Sequence, residues 1–192
     1  MNESEFREKL KENIQRKLGE DKYEIKMAEN LIYKIIINEN LQFEPNKSRN
    51  PKRGRYAFQT DLLIIRKDGQ LPLVVIETKY GGFSTHDVLT YSTKAQKHKE
   101  IYPYLRYGLM VGGTNKITNK FFVHNIGFDF AIALEKIDDR TINELIDIVR
   151  CQIKNAESIL EIFKDKNQTK SFNTQITIKK LNGEDKNGAT KK

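Results

Sequence analysis

Three residues in the middle of the chain have types and spacing that could do chemistry: Asp61, then Glu77 and Lys79 within LVVIETKYGG. The run Leu73-Val74-Val75-Ile76 predicts a strand buried on both faces, so charges that follow it directly belong at the end of a sheet. Alternate strand residues share a face, so Glu77 and Lys79 point together. Asp61 lies sixteen positions before Glu77, with the turn signal Lys67-Asp68-Gly69 between them. With residues 68–70 as a three-residue loop, Lys67 opposes Leu71 and Asp61 opposes Glu77. A two-residue loop would put the two acids on opposite faces. Opposed residues on one face have Cβ atoms about 4.5–5.5 Å apart, where two carboxylates repel. A divalent cation removes that repulsion. Mg²⁺, with Mn²⁺ as a substitute, is held by one or two carboxylates together with water and phosphate oxygens. Lys79 would then place a positive charge beside the same phosphate. The chemistry expected is metal-dependent hydrolysis of a phosphodiester.

The flanking elements follow from periodicity. Phe6, Leu10, Ile14 and Leu18 fall four apart before Gly19, which predicts an amphipathic helix. Ile25, Ala28, Leu31, Ile32, Ile35 and Ile36 read as a second, more apolar helix from about Tyr23 to Asn38. FEPNKSRNPKRGRYA is loop chemistry carrying Lys47, Arg49, Lys52, Arg53 and Arg55. AFQTDLLIIR and LPLVVIETKY predict the hairpin that carries the acids. Ser84 followed by Asp87 is a capping-box variant that opens a helix ending near Pro103. YGLMVGG (107–113) and FDFAIAL (128–134) read as strands, and 141–164 as a long helix whose apolar stripe packs on the sheet or on a partner. TQITIKKL is a possible last strand, and 183–192 reads as a disordered polar tail. One domain over residues 1–182 is expected.

The constellation of Asp61 with Glu77-Thr78-Lys79, set on helix, hairpin, third strand, helix and fourth strand, resembles the PD-(D/E)xK nuclease superfamily. The likeness spans roughly residues 22–134, and Thr60 stands where the superfamily has proline. The resemblance implies an α/β, restriction-endonuclease-like fold: a mixed central sheet flanked by helices. It also implies that Asp61 and Glu77 hold metal and that Lys79 assists the attacking water or the transition state. Members often add a carboxylate from the preceding helix. Ala28-Glu29-Asn30 matches that segment, so Glu29 is the expected third acid, with Glu24 as its rival. A Gln or Lys on the next helix orients water or touches phosphate in some relatives, which marks Lys94 and Gln96. The setting implied is a type II restriction endonuclease or a similar prokaryotic defence nuclease. A structure-selective repair or junction nuclease, an RNA-cutting relative and a catalytically silent DNA-binding module are the alternatives.

Charge points to the same partner. Lys and Arg number 34 against 26 Asp and Glu, a net +8, and such an excess favours polyanions through counterion release. Lys47, Arg49, Lys52, Arg53 and Arg55 lead straight into the Asp61 strand and are expected to meet the phosphates of duplex DNA. Cutting both strands with one small site calls for two copies, so a homodimer is expected. The scattered histidines and the single Cys151 make neither a metal motif nor an internal disulfide. No apolar run spans a bilayer, and a cytoplasmic protein without membrane contact is expected.

Overall fold

The computed structural model describes residues 1–49, 51–164 and 169–181. Helix α1 (Glu3–Leu18) begins at Asn2, whose side chain accepts from the Glu5 amide while the Glu5 side chain accepts from the Asn2 backbone. Its apolar stripe, Phe6, Leu10 and Ile14, is completely buried, as the spacing predicts.

The expected helix over residues 23–38 is absent. Three strands replace it: β1 (Tyr23–Met27), β2 (Asn30–Ile32) and β3 (Ile36–Ile37). Its isoleucines fit period 2 as well as 3.6, and β-branched side chains favour the pleated surface. Pairing decides between the two, because β1 has a ready antiparallel partner in β6 (Leu62–Arg66). β4 (Phe43–Glu44) pairs with β3, and β5 (Ala57–Gln59) pairs with β2.

β1 with β2, and β5 with β6, are two long strands broken at one level. Ala28 takes a left-handed φ of 57°. The Thr60 amide and hydroxyl both donate to the Glu29 carbonyl, at 2.8 and 3.1 Å. These bonds satisfy backbone groups that the break frees from the ladder. Beyond the break the β2–β5 ribbon leaves the main sheet and lies against α2 (Thr85–Ile101), where His98 Nε2 donates to the Leu31 carbonyl at 3.1 Å. Asp61 sits at the inner corner of this break.

The main sheet runs β1-β6-β7-β8-β9, with β7 (Leu71–Tyr80), β8 (Arg106–Gly112) and β9 (Phe130–Leu134) parallel and the β1–β6 and β6–β7 pairs antiparallel. Helices cover both faces, so the chain is an α/β domain with a mixed five-stranded sheet. On one side α1 and α4 (Asp139–Lys164) pack over Leu62, Ile64, Ile76 and Met110. On the other, α2 and the short α3 (Asn119–His124) pack over Leu63, Val75, Leu109 and Val111. The stripe of α4, from Ile142 through Val149 to Leu160, is spent in this core. It is therefore not a free face for a second copy. TQITIKKL forms no strand and is exposed, because no strand edge of the sheet takes it up. The expected tail at 183–192 lies outside the described residues.

Candidate active site

The hairpin register brings the two acids together. Leu62 pairs with Ile76, so one further step sets Asp61 across from Glu77. The loop is one residue longer than expected, because Arg66 and not Lys67 pairs with Leu71; residues 68–70 form a single 3-10 turn with Gly69 at a left-handed φ of 72°. The irregularity lies between Ile64 and Ile65 and not beside the glycine. The register at the Asp61 end is nonetheless the one expected.

Glu77 is 1% exposed. Its Oε1 accepts from Lys94 Nζ at 2.7 Å and from the Tyr107 hydroxyl at 2.7 Å. Lys94 also donates to the Gln59 carbonyl at the edge of the break. Burial pushes the Glu77 carboxyl above its ordinary value, and Asp61 adds to the rise, while Lys94 and Tyr107 oppose it. The Tyr107 hydroxyl is itself pushed up strongly by burial and by Glu77. It therefore stays a donor.

Asp61 is held from the other layer. Its Oδ2 accepts from the Thr78 amide at 2.8 Å and the Thr78 hydroxyl at 2.9 Å. Its Oδ1 pairs with Arg7 on α1 at 3.0 Å, and Arg7 Nε donates to Thr78 Oγ1 at 3.2 Å. The two carboxylates are thus held from opposite faces of the sheet, each with its own cation, Arg7 from α1 and Lys94 from α2.

Lys79 shares the α2 face with Glu77, as alternation predicts. Its ammonium lies 3.3 Å from Asp87 and 3.7 Å from Glu3, and 5.4 Å from the centre of the Tyr91 ring. Burial alone would lower its pKa, but Tyr91, Glu3 and Asp87 outweigh burial and hold it above the ordinary ammonium value. Lys79 is therefore a charge donor throughout the working pH range, and not a base. Asp87, Tyr91, Lys94 and His98 fall at spacings of four, three and four, one stripe of α2 turned toward the acids.

Glu29 lies not on a helix but in the break between β1 and β2. Its carbonyl is fixed by Thr60, beside Asp61, and its carboxylate has no hydrogen-bonded or ionic partner among the described residues. Glu24 lies near the other end of the sheet, paired with Ile65. Among the described residues no three His, Cys, Asp or Glu side chains converge to hold an ion.

Of the two α2 candidates, Lys94 is inside the site, bonded to Glu77, rather than on the surface. Gln96 is exposed and about 200° around the helix from it, off the site. Lys47, Arg49, Lys52, Arg53 and Arg55 are all exposed. Arg49 reaches the Gly69 carbonyl at the far end of the hairpin, and Arg53 reaches the Gln59 side chain near the acids. Their loop therefore spans the distance between the turn and the site.

Sequence reasoning missed Glu3, Arg7 and Tyr107. The spacing of Glu3 and Arg7 is that of an ordinary surface ion pair on a helix. Only the packing of α1 carries them to the sheet end. Tyr107 was legible solely as part of an apolar strand.

The donor set suits a hard divalent cation, because Asp61 and Glu77 offer oxygen only. Four acids (Glu3, Asp61, Glu77, Asp87) against three cations (Arg7, Lys79, Lys94) leave the network one negative charge in excess. A bound ion would replace Arg7 and Lys94 as the neutralising charge. The chain matches no protein-family model, and none of the curated proteins is similar to it.

Proposed function

We propose that the protein is a metal-dependent nuclease that hydrolyses DNA phosphodiester bonds, with the restriction-endonuclease-like arrangement of the PD-(D/E)xK enzymes. The observation that carries this reading is the placing of Asp61 across from Glu77 at the end of β7, with Lys79 two residues on and on the face of Glu77. Like charges at opposed strand positions are destabilising, and a bound cation offsets that cost. Asp61 and Glu77 would hold Mg²⁺, or Mn²⁺ in its place. When bound, such an ion polarises a phosphoryl oxygen and lowers the pKa of a bound water.

The chain's own residues do the rest. Lys79, oriented by Tyr91 and Asp87, donates to a non-bridging phosphate oxygen and stabilises the charge that builds there. Tyr107 fixes the rotamer of Glu77 by donating to Oε1. Thr78 fixes that of Asp61 through its amide and hydroxyl. Arg53, beside Gln59, is placed to take a flanking phosphate. The biological setting that fits best is restriction or a related defence against foreign DNA, acting as a homodimer on duplex DNA.

The test is nicking of supercoiled plasmid. Mg²⁺ supports cleavage, EDTA abolishes it, and Lys79→Ala lowers the rate about 10²-fold or more, the usual cost of removing one transition-state donor. Activity indifferent to EDTA and to Lys79→Ala overturns the proposal. A second reading, a DNA-binding module without turnover, is favoured by one observation: Arg7 and Lys94 already neutralise both acids. It predicts duplex binding with no nicking in either metal.

A further inference from the structure

The ribbon that leaves the sheet at Asp61 ends in an arm that the site chemistry does not use. Tyr33 stacks on Phe58 at its base, with ring centres 3.7 Å apart. Beyond this, β3 and β4 pair Ile37 with Phe43, side by side, and the turn between them is tightly bonded. The Asn38 carboxamide oxygen accepts from the amides of Asn40 and Gln42, both at 3.0 Å, and Asn38 exchanges further backbone bonds with Leu41 and Gln42.

This ordered turn presents apolar side chains to solvent: Leu41 is 85% exposed, Phe43 67% and Ile37 62%. Leu41 also has a left-handed φ of 58°. Leucine is disfavoured there, and Asn or Gly is the ordinary occupant. A bulky apolar residue kept outward on unfavourable backbone is a feature that folding does not explain.

The surroundings select the partner. The stretch from Pro45 to Thr60 holds Lys47, Arg49, Lys52, Arg53 and Arg55 and no acid. The exposed polar side chains next to the apolar tip are Glu39, Asn40 and Gln42. Glu44 is tied to Asn38 and Tyr56, which leaves Glu39 as the arm's one acid without a bonded partner among the described residues. Apolar wedges flanked by Asn, Gln and cations are the means by which proteins enter the minor groove and part a base step. From Asn30, beside the acids, to Asn38, where the turn begins, is at most ~26 Å at ~3.3 Å per residue, a reach within about eight base pairs of duplex.

We propose that the arm of residues 33–45 is a minor-groove wedge: Leu41 and Phe43 insert at a base step within about eight base pairs of the cleaved phosphate and bend the duplex, while the basic loop holds the flanking phosphates. This rests on the nuclease reading for the identity of the polyanion, but it is tested without cleavage.

The experiment uses the full chain in EDTA with a 30-base-pair duplex carrying end-labelled dyes for bending and 2-aminopurine at successive steps. The wild type shortens the end-to-end distance and brightens 2-aminopurine at one position. Leu41→Ala with Phe43→Ala abolishes both signals and weakens binding about tenfold. Leu41→Asn, which suits the left-handed backbone, keeps or raises the melting temperature while losing the bend, so a folding defect cannot mimic the result. Arg53→Ala with Arg55→Ala lowers affinity and flattens its salt dependence but keeps the bend of the bound duplex.

An unaltered bend in the Leu41 and Phe43 variants overturns the wedge. So does a change of their sedimentation mass from dimer to monomer with no effect on DNA, which would assign the arm to a second copy. Bending without Mg²⁺-dependent cleavage defeats the nuclease reading and leaves the wedge standing. Cleavage without bending does the reverse.

Discussion

Glu77 and Lys94 act as one unit, because a carboxylate this deeply buried cannot stay ionised without a partner. Asp61 pairs with Arg7 at 3.0 Å on the other face of the sheet. The folded pKa of Glu77 is raised, so its ionised form weakens the fold once pH exceeds the unfolded value, and the loss is complete above the folded value. Mg²⁺ should oppose that loss. The melting temperature is expected to rise on adding Mg²⁺, by more at pH 8 than at pH 5, and not at all in Glu77→Gln; a rise independent of pH would argue against binding at Glu77.

His98 gives the opposite sign: burial and the neighbouring Lys94 depress it to about 4. Its contribution is present above the unfolded value near 6.5 and disappears as pH falls toward 4. The span corresponds to about 3 kcal/mol, to order of magnitude. Urea midpoints should fall over that window in the wild type, and the fall should shrink in His98→Gln, which can still donate to the Leu31 carbonyl.

At the scale of elements, the site depends on α1 sitting close to the sheet. A Cβ on Gly112 would lie 2.5 Å from the Phe6 ring, so only glycine lets that ring rest on β8. Gly112→Ala is expected to cost about 1–3 kcal/mol by overpacking. Because Phe6 precedes Arg7, the same change should draw Arg7 away from Asp61. Urea denaturation measures the first effect. The second appears as tighter Mg²⁺ binding by titration calorimetry, since the competing guanidinium is withdrawn. An alanine variant of wild-type stability would show that α1 can move without cost.

The paired breaks at Ala28 and Thr60 are the other element on which the site depends. They end the β6 strand one residue short of Asp61, whose carboxylate then accepts from the Thr78 amide and hydroxyl of β7.

For the whole molecule, no helix of the described residues is long and apolar enough to cross a membrane. The excess positive charge is concentrated in the loop beside the site. If its five exposed cations each neutralise one phosphate, binding falls with a slope of about −4.5 in log salt, roughly 500-fold between 50 and 200 mM. A gel-shift titration in EDTA measures this directly, and a slope near −1 would remove the loop from the interface. Since the apolar stripe of α4 is spent on the core, a dimer of this chain must use another surface. The exposed Phe122, Val123 and Ile126 on and after α3 are the largest apolar group outside the arm and the C-terminal segment.

Several features could be read from residues alone, because their causes are local. The α1 stripe, the Ser84–Asp87 cap, the buried run of β7 and the alternation that puts Lys79 with Glu77 each follow from spacing within one element. Turn length alone did not set Asp61 opposite Glu77: Arg66 and not Lys67 pairs with Leu71, and the irregularity between Ile64 and Ile65 restores the register. The stretch from Tyr23 to Asn38 was misread for the converse reason: its isoleucines satisfy helix and strand periods together, and only the vacant edge of β6 decides between them. Glu29 lost its helix with that decision. Arg7, Glu3 and Tyr107 entered the site from elements 30 to 76 residues away from their partners in sequence. What the sequence by itself determined was that Asp61 and Glu77 stand at opposed positions of one hairpin, with Lys79 two residues on. Which cations balance those acids was settled by the packing of two helices against opposite faces of one sheet, since the cost of a buried charge depends on everything around it and not on its neighbours in the chain.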